Sequence, residues 1–259
     1  MNAASHVGHV FRSRRISAFT MVEMLLVITL VVMLASISVP MVIRAIGKAQ
    51  LIKCRGNLME ISKAIAAYSN DNYLRIPPAY TAQAPDQDGE GDEVSEPLPT
   101  NALWLGAEQA RVGLGLLWNK DIPGAYDYIG NPEVFFCPGA EELTSTGELG
   151  LLNWNTEMSV ECSYIYRGEA FGASVNLEEN IKARRAMVLD YNIADEQTEM
   201  FNENHGASPV NVLYADNSVE QLSNREEEFT CHAYTAEELR RIFENADAAV
   251  SLSQETPTE

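Results

Sequence analysis

An α+β fold is predicted, one long N-terminal helix laid on a small antiparallel β-sheet, and three observations predict it. Residues 24–43, Met24 to Ile43, form a twenty-residue run without a charge. Beyond Arg44, Leu51, Leu58, Ile61, Ile65 and Tyr68 recur at spacings of 7, 3, 4 and 3, which aligns them along one helical face. Far downstream, Val210 to Ala215 and Ser218 to Leu222 flank Asp216 and Asn217, a turn pair that tolerates positive φ, so they read as a β-hairpin.

The apolar run spans about 30 Å at about 1.5 Å per residue, the thickness of a bilayer's hydrocarbon core. Before it, residues 1–18 carry Arg12, Arg14 and Arg15 and no acid. Basic residues stay on the cytoplasmic side, so the N-terminus is expected inside and the rest of the chain outside. The helix should leave the membrane as an amphipathic segment, 44–76, with its stripe against a sheet. Lys48, Lys53, Arg55, Glu60 and Lys63 mostly stay wet, and Pro77 and Pro78 prevent continuation.

With 259 residues, 46% of them hydrophobic, the chain can bury a core of one domain on a stalk. A net charge of −19 excludes nucleic acid as an expected partner, because phosphate binding needs concentrated Lys and Arg. Cysteines at 54, 137, 162 and 231 show neither zinc-type pairing nor the density of a disulfide scaffold.

Glu23 stands directly before the apolar run, where a carboxylate drawn toward the bilayer centre costs roughly 2.5–3.5 kcal/mol. The stretch Ala18, Phe19, Thr20, Met21, Val22, Glu23 resembles the processing site of type IV prepilins and type II secretion pseudopilins. The resemblance implies a pilin-like fold, cleavage between Ala18 and Phe19 by a prepilin peptidase, and methylation of the new Phe19 amine. It also gives Glu23 a partner, the N-terminal amine of a neighbouring subunit, which turns an intramembrane charge into a register-setting ion pair. Ala18 departs from the usual Gly. Pro40 falls where many pilins interrupt this helix, and it removes the backbone bond to Ser36.

Three blander readings compete. A secretory signal peptide would use Ser36 and Ser38 as a small-x-small cleavage site. A twin-arginine signal would use Arg14 and Arg15, but Ser17 occupies the place of a bulky apolar residue. A plain uncleaved anchor leaves Glu23 unexplained.

The segment from Cys54, Arg55, Gly56, Asn57 and Leu58 through Tyr68, Asn70, Asp71, Asn72 and Pro77 is also similar to a subgroup of prepilin-type proteins, common in planctomycete-like and verrucomicrobial bacteria. Looser likenesses follow at Val134 to Pro138, at Ser163 and Tyr164, and from His205 to Asn211 through Asp216.

The domain expected at 77–250 opens on an acidic insertion, 79–100, with six acids from Asp86 to Glu96 and no base, which reads as a mobile linker. Asp86, Asp88, Glu90 and Gly91 match the opening of a calcium loop, but Pro97 occupies the place of its closing Glu. Gly113 and Gly115 lack the GK[ST] ending of a phosphate loop and precede Leu116, Leu117 and Trp118, so a buried turn is expected. Thr235 and Glu238 form a capping box for a helix through about residue 247, and 251–259 should be a disordered tail.

His205, Asp216 and His232 pair imidazoles with a carboxylate, yet no HExxH, GxSxG or nucleophilic Cys signature accompanies them, so no catalytic role is assigned. By analogy with major pseudopilins, where a loop near the C-terminal strands binds calcium, Asp216 and Asn217 are candidate ligands; no other cofactor is expected. Cys137 and Cys162 are expected to pair, since both sit in the translocated domain between short candidate strands, with Cys231 a competing partner and Cys54, on the stalk helix, solitary.

What the resemblance implies is a structural filament subunit rather than an enzyme, a type II secretion pseudopilin above a type IV pilin. Its partners would be the prepilin peptidase, other subunits and an inner-membrane assembly platform. It would start as a single-pass protein of the bacterial inner membrane and end in a periplasmic or surface filament. The alternative is a membrane-anchored surface binding protein, an adhesin or carbohydrate-binding module, which an exposed aromatic patch would favour.

Overall fold

The computed structural model describes residues 20–78, 101–105, 110–119, 125–140, 160–168, 171–190, 192–195, 200–203, 209–232 and 235–254. The acidic insertion therefore lies outside the described residues. The chain divides into two compact units, Met1–Ala45 and Ile46–Glu259.

In the first unit the described residues belong almost wholly to the opening of a long helix, α1 (Met21–Asp71). Every residue from 20 to 45 is exposed, so the charge-free stretch 24–43 is apolar on all sides and is covered by no other described residue of its unit. Its polar hydroxyls are satisfied internally. Thr29, Ser36 and Ser38 donate to the carbonyls of Leu26, Met33 and Leu34 at 2.8, 2.8 and 2.9 Å. Among the described residues, α1 is the helix long and apolar enough to cross a membrane. Pro40 lies inside α1 and does not break it. The missing Pro40 N–H removes one rung of the ladder, and the bonds on either side carry the helix past it.

In the second unit α1 buries Cys54, Asn57, Leu58, Ile61, Ser62, Ala64, Ile65 and Ser69, while Leu51 and Tyr68 are half-buried and Lys48, Lys53, Arg55, Glu60 and Lys63 are exposed. The helix stops at Asp71, short of the expected 76. The prolines are not what ends it: Tyr73 and Leu74 turn left-handed at φ 58° and 63°, and the Leu74 N–H reaches back to the Ser69 carbonyl at 2.7 Å.

Strands β1 (Ala102–Leu105), β2 (Ala110–Arg111) and β3 (Val160–Glu161) form a small antiparallel sheet in the order β2-β1-β3. Then follow β4 (Tyr164–Tyr166), a short helix α2 (Leu177–Lys182), β5 (Ala186–Asp190), β6 (Asn192–Asp195), β7 (Met200–Glu203), β8 (Val210–Tyr214) and β9 (Val219–Leu222). β6 pairs with β7, and the other four form an antiparallel sheet ordered β4-β5-β8-β9. The expected hairpin is β8–β9, with Asn217 at φ 69° in its turn. The chain is thus α+β in character, with small antiparallel sheets.

Side chains alternate across a strand, and the four-stranded sheet uses both faces. Tyr164, Tyr166, Val188 and Leu213 join Leu58, Ile61 and Ile65 of α1 in one core. Ile165, Leu189, Val210, Val212 and Tyr214 join Leu239, Ile242, Phe243 and Ala246 of the C-terminal helix α3 (Ala236–Gln254) in another. A bulge between Ala186 and Val188 keeps β5 in step with both. α3 continues past 247, and 251–254, expected as tail, belong to it.

The glycine-rich segment is a buried 3₁₀ turn, Gly113–Leu117, as expected. A Cβ on Gly115 would overlap the Leu103 backbone, so this glycine is where the turn touches β1.

Candidate functional site

The head of α1 is built by a reciprocal cap. The Glu23 carboxylate accepts from the Thr20 backbone N–H at 2.9 Å and from its hydroxyl at 2.8 Å, and the Thr20 Oγ1 accepts from the Glu23 N–H at 3.2 Å. This is a capping box, Thr-x-x-Glu, which satisfies helix donors that the first turn leaves open. Glu23 therefore has work within its own chain, so an anchor without a neighbouring subunit does not leave it idle. Ala18 and Phe19 lie outside the described residues.

In the second unit, α1, β4, β5, β8 and the loop after Phe135 bring polar side chains together in the core. Cys54 is disulfide-bonded to Cys137, with Cα atoms 5.4 Å apart, and not to a strand cysteine. The expected pairing of Cys137 with Cys162, and the expectation of a solitary Cys54, are thereby corrected: Cys54 lies on the buried stripe of α1 and faces the loop that carries Cys137. Cys162 is a free, buried thiol that donates to the Tyr164 carbonyl at 3.1 Å. Burial pushes its pKa up to about 12, which keeps it protonated and unreactive. Cys231 is also buried, in the core beneath α3, and takes no part in a disulfide among the described residues.

Beside the sulfurs stand Tyr164, whose hydroxyl is 3.2 Å from Cys54 Sγ, and Asp190, directly opposite Tyr164 in the β4–β5 register. The Asp190 Oδ2 accepts from the Asn211 backbone N–H at 2.7 Å and from its side-chain amide at 2.9 Å. Burial raises the Asp190 pKa to about 7, against the lowering effect of the two Asn211 bonds. The Asn57 amide donates to the Phe136 carbonyl at 3.1 Å and fixes the loop before Cys137 against α1.

The other candidates are not drawn into a site. Asp216 receives Arg184 at 2.8 Å and Ser218 at 3.0 Å, and Arg184 also binds Glu220 at 2.6 Å. The Asn217 side-chain amide oxygen, Oδ1, accepts from the Ser62 hydroxyl. Both candidate calcium ligands thus already have partners, a guanidinium among them. His232 lies 3.5 Å from Glu227, and His205 is outside the described residues. At the end of α1, Tyr126, Tyr128 and Tyr68 stack edge to tilt with centroids 5.1 and 5.5 Å apart, and Tyr126 is 68% exposed.

Sequence reasoning missed the capping box at Thr20 and the cluster around Asp190. The first was readable as Thr-x-x-Glu ahead of an apolar run; the second carries no motif. No protein-family model, no curated protein and no solved structure matches the chain.

Proposed function

We propose that this chain is a structural subunit of a pilus or pseudopilus, in the manner of a type II secretion pseudopilin, processed at Ala18–Phe19 and assembled through the first part of α1. The observation that carries this reading is a helix that is apolar and exposed on every side from Met24 to Ile43, headed by a carboxylate at Glu23. A charge-free helix of this kind must be covered by lipid or by copies of itself. In the bilayer the Thr20 cap shields Glu23, and on assembly the same carboxylate is free to accept the Phe19 amine of the next subunit. A single-pass inner-membrane location with the second unit outside follows from the arginines of 1–18.

The test is co-expression with an active prepilin peptidase and mass spectrometry of the mature N-terminus. A chain starting at methylated Phe19 supports the reading; one starting at Val39, or retaining Met1, removes it.

The tyrosine row at Tyr126 favours a second reading, a surface binding protein on the same anchor. It predicts an unprocessed chain that is retained on an insoluble neutral polysaccharide and released by Tyr126→Ala.

A further inference from the structure

We propose that Cys54, Cys137 and Asp190 form a buried thiolate–carboxylate site for zinc in the reduced protein, so that the disulfide and the metal are alternative occupants of one position. One ligand atom from each of the three residues lies within 4.8 Å of the other two, and all three residues are buried. An ion held at about 2.3 Å from sulfur and about 2.0 Å from oxygen fits within that reach once reduction lets the two bonded sulfurs part.

The second observation is the state of Asp190. Asn211 occupies Oδ2 with two donors, and Oδ1 is buried without a hydrogen-bond partner. An orphaned carboxylate oxygen in a core is costly, and a cation held by the neighbouring sulfurs would satisfy it. Two donors on one oxygen and none on the other is the arrangement that aims a metal-binding carboxylate. The Tyr164 hydroxyl, 3.2 Å from Cys54 Sγ, supplies the corresponding bond to a thiolate. Two thiolates and a carboxylate bring three negative charges, which a divalent cation reduces to one. Soft sulfur ligands select zinc over magnesium or calcium.

The chemistry balances in two steps. An external dithiol passes two electrons and two protons to the disulfide, becomes a disulfide itself, and leaves Cys54 and Cys137 as thiols. Zinc then displaces the two thiol protons and any proton on Asp190, which go to solvent.

The test uses the full-length chain in detergent, reduced with a non-chelating phosphine, then given zinc and desalted. The expected result is about one zinc per reduced chain, none on the oxidised chain, and a thiolate-to-cobalt charge-transfer band when cobalt replaces zinc. Asp190→Asn abolishes stoichiometric retention, and Asn211→Ala weakens binding by about tenfold. Because these variants can lose the fold, wild-type protein supplies an independent readout: zinc should slow alkylation of Cys54 and Cys137 and leave Cys162 and Cys231 unchanged. Zinc retained equally by oxidised and reduced chains, or thiol protection that does not single out Cys54 and Cys137, overturns the proposal.

Discussion

Asp247 of α3 receives the Arg167 guanidinium on one carboxylate oxygen and the Ala186 backbone N–H on the other, each at 2.7 Å. Arg167 is almost wholly buried, follows β4 in the chain, and lies over the Phe243 ring at 5.3 Å. One carboxylate thus ties α3 to two neighbouring parts of the sheet. Asp247→Ala leaves a buried guanidinium without its counter-charge and should cost about 3 kcal/mol. Asp247→Asn, which can keep one of the two bonds, should cost less. The check is the alkylation rate of Cys231, packed beneath α3, which should rise in the order wild type, Asn, Ala.

Three glycines should respond differently to alanine. At Gly115 the new methyl would meet the Leu103 backbone, which cannot give way as a side chain can, so β1 and the 3₁₀ turn must separate at a cost of about 3 kcal/mol. At Gly113 the methyl has ordinary contacts of 3.6 Å and the cost, about 1 kcal/mol, comes from φ +51° alone. Gly56, on the exposed face of α1 with nothing within 4 Å, should gain about 0.5–1 kcal/mol. Urea midpoints of the three variants test the order.

Asp190 makes the second unit more stable in mild acid. Its pKa rises from an ordinary 3.8 to about 7 in the fold, so the folded state holds the proton more tightly than the unfolded state. The stabilising contribution is complete below the unfolded value, is lost as the pH climbs, and is gone above about 7. Between those limits stability should fall by at most about 1.4 kcal/mol per pH unit. Asp190→Asn should flatten the profile in oxidised protein, as followed by denaturant midpoints at a series of pH values. A midpoint that rises over this window in wild type would contradict the burial of a protonated Asp190.

What could be read in advance was periodic or local. The stripe of Leu58, Ile61 and Ile65 places α1 on the sheet because helical spacing reports a face directly. The β8–β9 turn follows from Asp216 and Asn217, since few residues take positive φ without strain. The rest depended on distance along the chain. Cys54 and Cys137 are 83 positions apart, and nothing local says that the helix cysteine faces the loop. Asp190 and Asn211 sit inside strands that otherwise read as apolar, and only their register makes them partners. Thr20 and Glu23 were legible as a cap, but the same residues also carry the prepilin likeness, which drew attention to Glu23 as a contact between chains.

That double role of Glu23 can be separated by substitution, because the cap needs an acceptor and an ion pair needs a charge. Glu23→Gln keeps an oxygen to receive the Thr20 N–H and hydroxyl, a role that Gln fills in capping boxes. Glu23→Ala loses both functions and should weaken the first turn by about 1 kcal/mol. Each variant should insert at least as well as wild type, since each removes a charge from the edge of the apolar run. Expressed as the sole subunit, Glu23→Gln should accumulate as membrane monomer and yield few filaments, despite an intact cap, for want of a partner for the neighbouring Phe19 amine. The measurement is filament in the sheared fraction against monomer in the membrane. If Glu23→Gln assembles like wild type while Glu23→Ala does not, the carboxylate serves α1 alone and the subunits find their register by other means.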